Sequence, residues 1–189
     1  MKTPATFHDR AATVTAEIQA VLQNVNEADV VQVVQAIVNA RHIVVHGAGR
    51  VGLACKGFAM RLGHLGFHAF AVSDACIPAV GEGDLVLVAS SSGETQTVYD
   101  VAMLAKSHRA RVAAISAIAN SRIANAADLL VRLTTPTKFG PTPDASSVQP
   151  MATLFEQCLQ ILFDCLVLQL MQETQQSSAD LWARHTNLD

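Results

Sequence analysis

His42-Ile-Val-Val-His-Gly-Ala-Gly-Arg-Val-Gly52 decides the fold. A short β-branched run stops at a Gly-x-Gly turn, and helical spacing follows it to Leu65. That is a strand, a tight turn and a helix. The pattern repeats downstream. Ala69–Val72 predicts a second strand, Leu85–Ala89 a third, and Thr95–Ser107 a helix. Arg111–Ile115 predicts a fourth strand, Ile123–Ala127 a short helix, and Leu129–Leu133 a fifth strand. Strands that alternate with helices pair in parallel and are covered on both faces, through right-handed crossovers. The expected architecture is a three-layer α/β/α sandwich with a five-stranded parallel sheet in the flavodoxin-like order 2-1-3-4-5.

Upstream, Phe7–Asn24 and Glu27–Ala40 read as helices, with Val14, Ile18 and Val21 inward on the first and Val30, Val34, Ile37 and Val38 on the second. Downstream, Thr134–Ser147 carries three prolines and a glycine and reads as a loop. The most apolar helix follows, roughly Pro150–Gln172, with a narrow polar stripe of Gln157, Gln160 and Asp164. Such a helix is expected to be buried nearly all round, which in so short a chain implies contact with another subunit. Ser178–Asp189 can add a short helix.

The 189 residues suit one structural domain: N-terminal helices over 1–40, a ligand-binding α/β unit over 41–175 and a tail over 176–189. Apolar residues make up 50% and charged residues 15%, a surplus that points to an oligomer interface. No uninterrupted apolar run approaches the ~18 residues of a membrane span, so no membrane partner is expected. The net charge of −3, without a Lys/Arg cluster, argues against nucleic acid. Met1–Arg10 has no apolar signal core, and Cys55, Cys76, Cys158 and Cys165 form no Cys-x-x-Cys pair. Free thiols in the cytoplasm are expected.

Two loops carry chemistry. Gly47-Ala-Gly49-Arg-Val-Gly52 is a literal G-x-G-x-x-G, and Asp74 follows the second strand where a ribose-binding acid would stand. A dinucleotide-binding protein is therefore one reading, although a tight bend and close helix packing demand the same glycines. The second loop is Ser90-Ser91-Ser92-Gly93-Glu94-Thr95. Four hydroxyls at a helix start can surround an anion, helped by unpaired backbone N–H groups and the helix dipole. Ser91 and Glu94 also have capping-box spacing, which would use one or two of these groups but not four. The loops leave strands one and three, which are neighbours at the switch point of a 2-1-3-4-5 sheet, so both serve one site.

These residues resemble the sugar isomerase (SIS) domain, and within it the 6-phospho-3-hexuloisomerases of the ribulose monophosphate pathway. The resemblance rests on Gly47-Ala-Gly-Arg50, Lys56-Gly-Phe-Ala-Met-Arg-Leu62, His64-Leu-Gly-Phe67, Gly83-Asp84 and Ser92-Gly-Glu-Thr95. Pro150-Met-Ala-Thr-Leu-Phe-Glu-Gln157 and the tail Arg184-His-Thr-Asn-Leu-Asp189 extend it. It implies conversion of D-arabino-hex-3-ulose 6-phosphate to fructose 6-phosphate by a homotetramer or homodimer, without metal or organic cofactor. Four places depart from the family pattern, one of them Ser91 where the family usually has Gly. Val51 stands where the family usually has Ser, Ser73-Asp74-Ala75 where it has Gly-Glu-Thr, and Ile77-Pro78 where it has Thr-Pro.

Moving a ketone from C3 to C2 needs a base for a carbon-bound proton and a group that shuttles protons between the oxygens of an enediol. Glu156 is the first candidate for base, since its place near the start of an apolar helix suits a buried carboxylate; a solvated helix-start acid is the alternative. His64 is the second catalytic candidate, with helix-end capping as its alternative role. Lys56 is the third catalytic candidate, and it, Arg50 and Gly49 are expected to meet ligand oxygens, beside Ser90, Ser91, Ser92, Glu94 and Thr95. Glu94 is the alternative base. His42, His46, His64 and His68 fit no metal-ligand spacing. A sugar-phosphate sensor without chemistry, and less readily a dinucleotide-binding protein, are the competing functions.

Overall fold

The computed structural model describes residues 5–188. Residues 1–4, part of the stretch read for a signal core, and Asp189, the end of the tail, lie outside them. Among the described residues seven helices and five strands follow one another as α1 (Phe7–Leu22), α2 (Glu27–Val38), β1 (Ile43–Gly47), α3 (Gly49–His64), β2 (Ala69–Ala71), β3 (Leu85–Ser90) and α4 (Gln96–Ser107). Then come β4 (Arg111–Ser116), α5 (Arg122–Ala126), β5 (Leu129–Arg132), α6 (Thr153–Glu173) and α7 (Ser178–Trp182). The strands form one parallel sheet in the order β2-β1-β3-β4-β5.

Side-chain alternation along the strands builds the two apolar layers. Ile43, Val45, Leu85, Leu87, Ala113, Ile115, Leu129 and Val131 point to the face covered by α2, α3 and α6. Val44, Val86, Val88, Val112 and Ala114 point to the face covered by α4 and α5. All six residues of β3 are buried, as a central strand covered on both sides requires. Opposite the site, the Asp84 carboxylate accepts hydrogen bonds from Arg41, at 3.0 and 2.8 Å, and from the Gly81 N–H at 2.8 Å. These partners overcome the desolvation of the carboxyl and hold its pKa down at about 2.

Helix α6 crosses α3, α2 and α1. Phe163 on α6 stacks on Phe58 of α3 with ring centroids 4.2 Å apart. By length and mean hydropathy α6 would also pass for a membrane span, but half of that window is buried inside the protein, as in a core helix. The expectation of burial nearly all round is corrected within the protomer. Gln160, Asp164, Cys165 and Leu168 are exposed along one face, because the sheet-side helices cover only the opposite one. Thr134–Ser147 has no helix or strand, as its prolines predict. It is pinned by an ion pair between Arg132 and Asp144 at 2.6 Å. All four cysteines are free thiols.

Candidate functional site

β1 and β3 lie side by side, and their chains leave in opposite directions, to α3 on one face and α4 on the other. A crevice opens at that divergence. It holds a cavity of about 300 Å³ lined by the β1–α3 turn, the β3–α4 loop, Lys138 and the start of α6. That volume is at the small end for a ligand pocket.

The turn at the crevice is tight for a steric reason. A Cβ on Gly52 would lie 2.5 Å from the Gly47 carbonyl oxygen, so only glycine lets α3 begin this close to β1. Arg50 and Val51 consequently stand at the cavity rim, with Gly49 beside them. The acid read as a ribose ligand has a local task, since one Asp74 oxygen accepts the Ala71 N–H at 2.7 Å.

The second loop turns its hydroxyls inward. Ser90, Ser91 and Ser92 are buried, and all three line the cavity with Thr95. Ser90 Oγ lies 3.0 Å from Thr95 Oγ1 and accepts the Gly93 N–H at 3.2 Å. Ser91 Oγ donates to the Pro136 carbonyl at 3.5 Å. Gly93 has φ of 66°, and a Cβ there would collide with Ser121, so the loop is pressed onto the start of α5. The capping box that the spacing of Ser91 and Glu94 would allow, the alternative to anion binding, does not form. Helix α4 starts at Gln96 with Thr95 as its N-cap, and no side chain caps it. Glu94 points outward and accepts the Arg122 N–H at 3.0 Å. Its carboxylate is spent on joining two helices, and it does not line the cavity.

Glu156 does line the cavity, with its side chain only 17% exposed. Its Oε2 is 3.1 Å from Arg50 Nε, yet the contact lacks hydrogen-bond geometry and Oε2 has no hydrogen-bond partner. Buried carboxylate oxygens are normally satisfied. This one has no hydrogen bond, and the Arg50 guanidinium is its ion-pair partner.

The other sequence candidates are placed elsewhere. Lys56 is exposed and lines a separate cavity of about 280 Å³ with His46 and Ser73, on the β2 side of the Gly-x-Gly turn. His64 ends α3, about 22 Å along the helix axis from Gly49. No side chain spans that length, so His64 does not reach the cavity of its own protomer. It is buried beside Arg61 and His185, with ring centroids 5.1 Å from His185. Burial, then the charges of Arg61 and His185, push its pKa down. The residue that the sequence did not single out is Lys138. It stands in a proline-rich loop without periodicity, where only folding brings it to the serine loop.

Known proteins resemble this chain in sequence and in fold. The model of the SIS domain matches residues 36–160. The chain is 39% identical over 163 residues to the 3-hexulose-6-phosphate isomerase of Bacillus subtilis, covering 86% of this chain and 87% of that one. It is 35% identical over 175 residues to the 3-hexulose-6-phosphate isomerase of Mycobacterium gastri, covering 92% and 86% of the two chains. Among solved structures, a Methanococcus jannaschii protein whose crystal structure infers a function of 3-hexulose-6-phosphate isomerase superposes with a TM-score of 0.81. The identity is 27%, over 96% of this chain and 99% of that one.

Proposed function

The chain belongs to the SIS domain family, and from that premise we propose that it is a phosphosugar isomerase that interconverts D-arabino-hex-3-ulose 6-phosphate and fructose 6-phosphate. One observation carries the reading. A buried carboxylate oxygen of Glu156 without a hydrogen bond shares a cavity with four hydroxyl-bearing residues at the start of a helix. The hydroxyl loop suits a phosphate and the carboxylate suits a carbon-bound proton. The relatives named 3-hexulose-6-phosphate isomerase support the choice of substrate.

In this reading Ser90, Ser91, Ser92 and Thr95 hold the phosphate with the unpaired N–H groups of the α4 start. Glu156 removes the C2 proton of the 3-ketose, the electrons pass to the C3 carbonyl, and an enediol forms across C2 and C3. The C2 hydroxyl gives up its proton, the C3 oxygen takes one, and Glu156 returns the carbon-bound proton to C3 as the ketone re-forms at C2. Arg50, beside Glu156, holds the negative charge that develops on the enediol oxygens. No electron leaves the substrate, so the reaction balances without a cofactor.

We further propose a homodimer or homotetramer in the cytoplasm. Leu53 and Met60 on α3 and Leu168 on α6 are exposed apolar side chains, and Leu53 lines a shallow groove with Ile18 and Ile161. Pairing of such surfaces between copies would cover them. It is also the only route by which His64 could shuttle protons, as a residue lent by another copy. A protein that is monomeric by light scattering under conditions of full turnover would remove His64 from the mechanism. The isomerase reading itself is tested by supplying hex-3-ulose 6-phosphate and measuring fructose 6-phosphate. Steady formation is expected; absence of turnover with retained binding would make the protein a sensor.

A further inference from the structure

The cavity carries three charged side chains: Arg50, Glu156 and Lys138. Their charges are not equivalent. Arg50 is matched by Glu156 at 3.1 Å. Lys138 has no ion pair among the described residues, and its Nζ rests 5.1 Å from the ring centroid of Phe139. Glu94, the acid within the hydroxyl loop, is turned away to the Arg122 N–H. A phosphate dianion among neutral hydroxyls therefore meets one uncompensated cation, and it is Lys138.

The segment that carries Lys138 is fixed against the hydroxyl loop. The Pro136 carbonyl accepts the Ser91 hydroxyl at 3.5 Å. The turn that holds Lys138 is closed by reciprocal backbone hydrogen bonds between Thr137 and Gly140, each 3.0 Å. Arg132 and Asp144 pin the segment further along. The Lys138 ammonium is a compact charge on a flexible stem, suited to closing on an anion that enters from solvent.

Resting on the isomerase reading of the same cavity, we propose that Lys138 is the phosphate-binding cation of this site. The work divides accordingly. Lys138 and the serine loop grip the non-reacting phosphate, while Arg50 and Glu156 face the reacting carbons. The phosphate end thus has its own charge, and binding is decided there without drawing on the pair that does the chemistry.

The test uses Lys138→Met and Lys138→Arg in the full chain, with a non-reacting hexitol 6-phosphate as probe, calorimetry for binding and turnover of hex-3-ulose 6-phosphate for rate. Lys138→Met is expected to bind the probe about 10- to 100-fold more weakly, the scale of one charge-assisted hydrogen bond. KM rises with it while kcat is largely kept. Lys138→Arg restores most of the affinity, and wild-type binding weakens with salt more steeply than that of Lys138→Met. Lys138 is exposed, so an unchanged melting temperature is the expected control. Wild-type affinity in Lys138→Met would overturn the proposal, as would a loss confined to kcat. If wild type binds the probe through Lys138 yet converts no hexulose phosphate, the isomerase reading fails and this proposal stands. If wild type turns over while Lys138→Met matches it in KM, the proposal alone fails.

Discussion

The Ser90–Thr95 loop and the Arg50–Glu156 pair face one cavity, yet they are built in opposite ways. The loop is local. Six consecutive residues from the end of β3 to the start of α4 supply it, three are buried serines, and the Ser90 and Ser92 hydroxyls are held by neighbours a few residues away, while Ser91 reaches the Pro136 carbonyl. The pair is assembled at long range, from the first turn of α3 and the first turn of α6, and one of its oxygens is left without a hydrogen bond. A site that must bind benefits from groups already in place. A site that must move a proton needs a carboxylate whose lone pair is not committed. The two walls thus separate binding from chemistry, and substitutions should separate them too.

The largest expected effect is on the long-range wall. Glu156→Gln is nearly isosteric, keeps the fold and the affinity for a hexitol 6-phosphate, and lowers kcat by roughly 10²–10⁴, the usual worth of a general base. Loss of binding together with turnover would make Glu156 structural and dissolve the contrast. On the local wall, Ser92→Ala with Thr95→Ala removes two neutral hydrogen bonds of ~1 kcal/mol each. Binding is expected to weaken by about 30-fold with kcat little changed. A collapse of kcat at saturating substrate would show that the loop also serves the reacting end. The smallest effect is expected of Glu94→Gln, measured as kcat beside Glu156→Gln. Glu94 is committed to the Arg122 N–H, so turnover should fall by less than about tenfold, and a loss matching that of Glu156→Gln would move the base to the local wall.

The same contrast explains what the sequence disclosed. Strand alternation such as Ile43/Val44/Val45 and the Gly47–Gly52 turn are local signals, and the sheet order follows from them with the rules for parallel connections. The hydroxyl loop is local as well, and all four of its hydroxyl residues line the cavity. Glu156 is legible only from the apolar helix around it and from family resemblance, since no spacing links it to residues some sixty positions earlier. Lys56 and His64 show the limit of reading one helix. Both stand on α3 with Arg50, but only the first turn opens on this cavity, while His64 sits at the opposite end. Lys138 lay beyond reach because Lys-Phe in a proline-rich loop has no period to reveal which way it folds. The apolar run of α6 told of burial but not of which side the sheet would occupy, so its open face at Asp164, Cys165 and Leu168 emerges only in three dimensions.

The central claim is that Glu156 takes a proton from the carbon next to the ketone, and hydrogen exchange reads that event directly. Wild type and Glu156→Gln would be incubated with fructose 6-phosphate in deuterium oxide, and deuterium located by nuclear magnetic resonance. The account predicts deuterium at C3 of fructose 6-phosphate with wild type, because the enediol of this reaction spans C2 and C3. It predicts a loss of that exchange in Glu156→Gln by the same factor as kcat. Exchange at C1 would assign the chemistry to an aldose–ketose isomerase, and C3 exchange at the wild-type rate in Glu156→Gln would contradict the account at its centre.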